Sequence, residues 1–216
     1  MVYRQTPKMI ERKESSRRRF LDEATRLFGE LGFHQTTVPM IVAAAGKSTG
    51  AFYLHFHNKE DVFAAAMEAL DRRICAAIDG AAANAGPSVL SHMRAAVTAM
   101  VGFLAANPGE ARILLVESSG LGKRLEEVRR RVIESHTRGV EHALAIIADR
   151  LPPMDISVTA RCWVGAAYEA VFRWLEEPAT ERMSPEHLAD AVAAFNLRGI
   201  GAPSIGPEPN TGGKRI

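Results

Sequence analysis

A chain of 216 residues with 47% hydrophobic and 24% charged side chains has the make-up of a folded globular protein, which excludes a disordered or fibrous polypeptide. Abundant alanine, only 6% aromatic residues and few β-branched runs favour helix. The net charge of +2 is unevenly spread, with 10 Lys/Arg against 6 Asp/Glu in residues 1–60 and 17 against 19 beyond. A basic first quarter on a near-neutral remainder points to an anionic partner at that end.

Residues 1–14 are polar and charged, so no secretory signal is expected there. No apolar stretch approaches the ~20 residues of a membrane span, so a cytoplasmic protein without a membrane partner is expected. Cys75 and Cys162 stand far apart in apolar helical surroundings and read as buried inert thiols. They offer neither a disulfide framework nor a paired metal-ligand spacing, and no cofactor or metal is expected.

In chain order, the first strong pattern is Phe20, Leu21, Ala24, Leu27, Phe28 and Leu31, one apolar stripe of a helix that Gly32 ends. Thr37 then caps a short helix with Pro39 in its first turn and Val38, Ile41, Val42 and Ala45 as its inner face. Gly46 supplies a turn, and Ser48 caps a third helix reaching about Phe56. Asn58 caps a fourth, which opens at Lys59 and runs to about Asp79.

Gly80 to Ser88 reads as a loop and Val89 to Ala106 as a helix ended by Asn107-Pro108-Gly109. A short helix Glu110 to Glu117 leads to Ser118-Ser119-Gly120-Leu121-Gly122. Lys123 to Leu151 carries Leu125, Val128, Val132, Val140, Leu144 and Ile147 on one side, with Glu126/Arg130 and Glu127/Arg131 as outer i, i+4 pairs. Pro152-Pro153 breaks it before a helix from about Asp155 to Glu176. Trp163, Ala167, Ala170 and Trp174, flanked by Val164, Val171 and Leu175, make that helix apolar nearly all round. The last helix has Ser184 as cap, Pro185 at its first position and Leu188, Ala191, Val192 and Phe195 as its stripe.

The fold class is therefore all-α, with about nine helices. Its expected divisions are a flexible arm (1–13), a three-helix head (14–60), a helical body (61–200) and a disordered tail (201–216).

Two short helices joined at Ala45-Gly46-Lys47 and packed on a longer one make a helix-turn-helix arrangement. The second helix of such a pair fits the major groove, and its first residues, here Lys47, Ser48, Thr49 and Gly50, face base edges. Tyr53, His55, His57 and Lys59 follow on the exposed side, within reach of phosphates. An ordinary helical hairpin with a solvated basic face is the alternative on these residues alone.

The run Gly32-Phe33-His34-Gln35-Thr36-Thr37-Val38, with Ala43 to Phe56 and Asn58-Lys59-Glu60, resembles the DNA-binding head of the TetR family over roughly residues 14–62. The resemblance implies that the helix carrying Ser48-Thr49-Gly50 enters the major groove, while Thr36, Thr37, Tyr53 and Lys59 hold phosphates. Lys47 departs from the small apolar residue usual at its position, and Pro39 stands where a polar residue is common.

Other motifs fail. Gly46-Lys47-Ser48-Thr49 lacks the glycine five residues upstream, where Ile41 stands, and the preceding strand of a phosphate loop. Gly120-Leu121-Gly122 has Leu125 in place of the third glycine of a dinucleotide fingerprint. Ser118 and Ser119 lack the flanking glycines of a nucleophile elbow. His55 and His57 at i, i+2 on a helix would point apart and read as backbone-contacting residues rather than metal ligands.

For the body, the resemblance implies a cavity among the middle helices. Met93, Met100, Phe103, Leu104, Leu114, Leu115, Val128, Val132, Trp163, Ala167 and Tyr168 are the candidate lining, with Glu117, Ser118, Ser119 and His136 as candidate polar contacts. Such a lining suits a small hydrophobic effector: an acyl compound, an aromatic or a drug. The resemblance further implies a homodimer through the last two helices, which would present two recognition helices to a palindromic double-stranded DNA operator.

The reading is thus a repressor released by its effector and not an enzyme. The alternatives are a constitutive DNA-binding factor or activator without sensing, or a helical enzyme or carrier, for which no convergent titratable groups are visible in the sequence.

Overall fold

The computed structural model describes residues 6–117 and 120–202. Those residues form nine α-helices and no strand: α1 (Pro7–Gln35), α2 (Val38–Ala45), α3 (Thr49–Tyr53), α4 (Lys59–Ala83), α5 (Val89–Ala106), α6 (Pro108–Arg112), α7 (Lys123–Ile146), α8 (Ile156–Glu176) and α9 (Pro185–Gly199). A π-helical turn, Ile113–Glu117, follows α6, and a 3-10 turn, Ala148–Arg150, follows α7.

Helix starts follow the side-chain caps. Thr37, Ser48, Asn58 and Ser184 each accept from the backbone N–H three residues on, at 3.4, 3.2, 2.8 and 3.2 Å. Each such cap is worth ~0.5–2 kcal/mol. α5 begins and ends where the sequence places it.

Several boundaries differ. α1 starts at Pro7, so residues 7–13 are helical rather than part of an arm, with proline at the position where a missing N–H costs little. The helix kinks at Gly32 (φ 80°, ψ 168°), a conformation that favours glycine. α3 ends at Tyr53 because Phe56 turns back onto Phe52, ring centroids 5.6 Å apart. α4 runs through Gly80 to Ala83. On α7 neither expected i, i+4 pair forms: Arg130 bonds Glu127 (2.6 Å) and Glu134 (2.5 Å), while Arg131 faces Glu68 on α4 (3.7 Å). Residues 1–5 of the expected arm and 203–216 of the expected tail lie outside the described residues.

The head packs on aromatic rings. Phe28, Phe33 and Phe63 meet pairwise with centroids 4.9–5.9 Å apart, and Phe20 meets Phe52 edge-on at 5.5 Å. Each pair adds ~0.5–1.5 kcal/mol beyond its area burial. Phe63 belongs to α4, so this core joins the head to the body's first helix.

In the body, α5 lies against α4, α8 and α9, and α7 against α8 and α4. The expectation that no apolar stretch approaches span length needs correcting, because α5 is long and apolar enough to cross a membrane by length and composition. Here its Met93, Val97, Met100, Val101 and Leu104 are buried among neighbouring helices.

α8 buries Trp163, Val164, Ala167, Val171, Trp174 and Leu175, and the Asn196 amide of α9 donates to the Trp163 carbonyl at 3.1 Å. It is not enclosed all round within one chain. Val158, Cys162 and Gly165 form an exposed face of small or apolar residues, and Phe195 on α9 is 66% exposed. Cys162 is therefore exposed and Cys75 half-buried, where buried thiols were expected.

Candidate nucleic-acid interface and body cavity

The turn between α2 and α3 is made by Gly46 in the left-handed region (φ 62°, ψ 40°), and the Arg19 guanidinium ties it to α1 by donating to the Ala45 carbonyl at 2.8 Å. This sets Lys47, Ser48, Thr49 and Gly50 together on an exposed edge with Tyr53, which is 55% exposed. Thr37 is exposed beside them at the start of α2. Lys47 lies next to Arg12, Ser15 and Ser16 of α1 across a shallow groove. Those α1 residues were missed in the sequence because that stretch reads there as arm or solvated helix.

Two candidates take different places. Thr36 is fully buried and its hydroxyl donates to the Gly32 carbonyl at 2.8 Å, so it closes the α1 kink and cannot reach a phosphate. Lys59 is half-buried; its ammonium donates to the Phe33 carbonyl at 2.8 Å and lies 4.2 Å from the Phe33 ring centroid. It fastens the start of α4 to the end of α1.

His55 and His57 sit beyond the end of α3 rather than on it. His55 packs beside Phe20 and Phe56, and burial, aided by Lys13 and Arg17, pushes its pKa down. His57 is exposed, with Nδ1 2.8 Å from Asp61. Asp61 also accepts the His57 backbone N–H at 3.0 Å and bonds Arg124 of α7; against the cost of burial these contacts hold its carboxyl at about 2, below the ordinary 3.8.

The body holds a half-open cavity of about 300 Å³ between α4, α5, α7 and α8. Of the sequence candidates, Met93, Met100, His136 and Trp163 line it. Ile78, Val97, Val140 and Val164 complete the apolar wall, and Cys75, Asp79 and His92 give it a polar end.

The other candidates point elsewhere. Leu104, Leu114 and Ala167 are packed solid at 0–1% exposure, Val128 and Val132 are buried at 4%, and Phe103 lies under the Arg73 guanidinium at 5.0 Å. The Glu117 carboxylate instead accepts the Phe33 backbone N–H at 2.9 Å, linking the π-helical turn of the body to the head. Ser118 and Ser119 lie outside the described residues.

At the polar end His136 is buried, with Nδ1 2.5 Å from the Tyr168 hydroxyl and Nε2 3.0 Å from the Asp71 carboxylate. The Cys75 sulfur lies 3.8 Å from that carboxylate and 3.9 Å from Nε2. Burial pushes the Tyr168 hydroxyl far above its ordinary range and, with Asp71 and Asp79 nearby, raises the Cys75 thiol. No signal in the sequence brings His136 to Cys75, 61 positions away.

A helix-turn-helix head rigidly keyed to a helical body with an apolar cavity is the architecture of a one-component DNA-binding regulator. The chain belongs to the TetR family: residues 20–66 match "Bacterial regulatory proteins, tetR family" and residues 88–195 match "Tetracyclin repressor-like, C-terminal domain". It is 43% identical over 60 residues to the uncharacterized HTH-type transcriptional regulator YerO of Bacillus subtilis, a match covering 28% of this chain and 19% of that protein.

Among solved structures, the fatty acid degradation regulator FadR of Bacillus halodurans superposes with a TM-score of 0.77 at 21% identity, covering 93% of this chain and all of that one. The transcriptional regulator FadR of Bacillus subtilis, in complex with stearoyl-CoA, gives 0.71 at 19% identity, covering 85% and 98%. At these identities the structures share the fold with this chain.

Proposed function

We propose that this regulator is a homodimeric repressor, working in the cytoplasm, that binds a palindromic operator and releases it when a small hydrophobic effector fills the body cavity. The observation that carries the reading is the course of α4. Its first residue, Lys59, is clamped to the head at Phe33, and its Cys75, Ile78, Asp79 and Ala82 wall the cavity. A rise of 1.5 Å per residue puts those two ends only ~24–35 Å apart on one rigid rod. An effector that parts α4 from α5 tilts the rod and with it the head. Such a ligand acts only if it binds the released form better.

The cavity is at the small end of the ~300–1,000 Å³ usual for ligand sites. A compact apolar compound or a short acyl group fits it as it stands, and a long acyl chain requires the helices to separate. The acyl class is supported by the stearoyl-CoA complex of the similar FadR. The exposed Val158, Cys162 and Gly165 of α8 and the exposed Phe195 of α9 support the dimer, since a second copy packed on these two helices would cover them.

Anisotropy titrations of a duplex taken from upstream of the gene test the DNA face. Tyr53→Ala is expected to raise Kd at least about tenfold, as loss of a charge-assisted phosphate bond does. Unchanged affinity would remove α3 from the interface.

A further inference from the structure

Asp71, Cys75 and His136 offer a carboxylate oxygen, a thiol sulfur and an imidazole nitrogen that all lie within 4.8 Å of one another. We propose that they form a divalent transition-metal site of zinc type, with its fourth position open to the body cavity. This goes beyond the operator reading and does not depend on it.

The geometry is close to that of a bound state. Zinc holds N, O and S donors at ~2.0–2.3 Å, so a tetrahedral site places donor atoms ~3.3–3.8 Å apart. The three separations here are 3.0, 3.8 and 3.9 Å. Movements of a few tenths of an ångström close the site. Two of the donors come from α4 at i, i+4, which puts them on one helix face, and α7 brings the third across to meet them.

The donor set also suits the chemistry. A mixed sulfur, nitrogen and oxygen set favours Zn²⁺ or Co²⁺ over Mg²⁺ or Ca²⁺, which prefer oxygen alone. Binding releases one proton, from the Cys75 thiol, to solvent, and the resulting thiolate and the Asp71 carboxylate neutralise the two charges of the ion. Without metal, Nε2 of His136 must carry the hydrogen that it gives to the carboxylate, because a carboxylate only accepts. With metal on Nε2, the hydrogen resides on Nδ1 and is donated to the Tyr168 oxygen, the second-sphere bond that orients metal-bound histidines. Asp79, one turn beyond Cys75, adds negative charge, while Arg129 near Tyr168 opposes it.

Three ligands with an open fourth position are the pattern of sites that take water or a substrate atom. Cys75 and His136 both line the cavity, so the fourth ligand comes from that side.

The test uses the full chain, stripped with chelator and titrated with Co²⁺ while the visible and near-ultraviolet spectra are read. The expected result is saturation at about one Co²⁺ per chain, with tetrahedral d–d bands and a sulfur-to-cobalt charge-transfer band, all displaced by Zn²⁺. Cys75→Ser must abolish the charge-transfer band, and Cys162→Ser must leave it intact. Asp71→Asn must weaken Co²⁺ binding at least about tenfold, and it carries the test if Cys75→Ser loses its helical circular dichroism. The absence of the bands in the unmodified chain, persistence of the charge-transfer band in Cys75→Ser, its loss in Cys162→Ser or unchanged affinity in Asp71→Asn would each overturn the proposal.

Discussion

The Glu117 carboxylate accepts the backbone N–H of Phe33 at 2.9 Å, joining residues 84 positions apart and the body to the head. Phe33 is 6% exposed, so removing the carboxylate leaves a donor largely shut off from water. Glu117→Ala is expected to lower stability by about 1–3 kcal/mol in urea unfolding, and Glu117→Gln by less, because an amide oxygen still accepts. Equal losses in the two variants would mean that the contact acts through packing alone.

Close by, α1 and α6 touch backbone to backbone. A Cβ at Gly29 would stand 2.8 Å from the Gly109 carbonyl oxygen, whereas one at Gly102, inside α5, would meet nothing within 4 Å. Gly29→Ala is expected to lower stability by about 1–3 kcal/mol through overpacking. Gly102→Ala is expected to raise it by about 0.5–1 kcal/mol through helix propensity. Melting temperatures of the pair, moving in opposite directions, check both.

Acid should loosen the junction of α4 and α7. Asp61 has a folded value of about 2 against an ordinary 3.8, held down first by the His57 backbone N–H. A depressed carboxylate contributes stability that is fully present above its unfolded value and is lost as pH falls through its folded one. The contribution, about 1–2 kcal/mol after allowing for partial exposure, is thus complete above about pH 5 and fades between about pH 4 and 2. Asp61→Asn should flatten this limb of the stability curve measured by urea unfolding. An unaltered limb would place the acid sensitivity elsewhere.

Lys47 and Lys59 should separate in salt titrations of DNA affinity. Lys47 is free on the exposed edge, and Lys47→Ala is expected to reduce the slope of log K against log salt by about one. Lys59 is held by Phe33, so Lys59→Met is expected to lower folding stability by about 1–2 kcal/mol as well as weakening DNA binding.

Local chemistry made the helices legible: Thr37, Ser48, Asn58 and Ser184 announce four starts, and the loop ending at Ser88 with the Asn107-Pro108-Gly109 break gives α5 both its ends. The exposed edge of the head was legible too, because Lys47 to Gly50 follow the turn directly.

What escaped depends on contacts between distant segments. Thr36 looks like a polar ligand by type, but the Gly32 kink turns it inward to a backbone carbonyl. Glu117 looks like a cavity residue until Phe33 arrives from the head. Periodicity marks a side chain as inward without saying whether it meets a neighbour or a void, and of these inward residues Met100 and Trp163 line the cavity while Leu104 and Val128 pack away from it. The Asp71–Cys75–His136 cluster exists only because α7 crosses α4.

If filling the body cavity weakens DNA binding, the change shows in the affinity for DNA with and without effector. The affinity for the upstream duplex is titrated by anisotropy with and without acyl-CoA thioesters and small apolar compounds whose binding to the chain native mass spectrometry has established. A bound effector is expected to raise Kd by about 5–150-fold, an ordinary coupling energy, and Met100→Trp, which fills the cavity, is expected to blunt the response. An effector that binds the body stoichiometrically and leaves the DNA affinity unchanged would contradict that coupling.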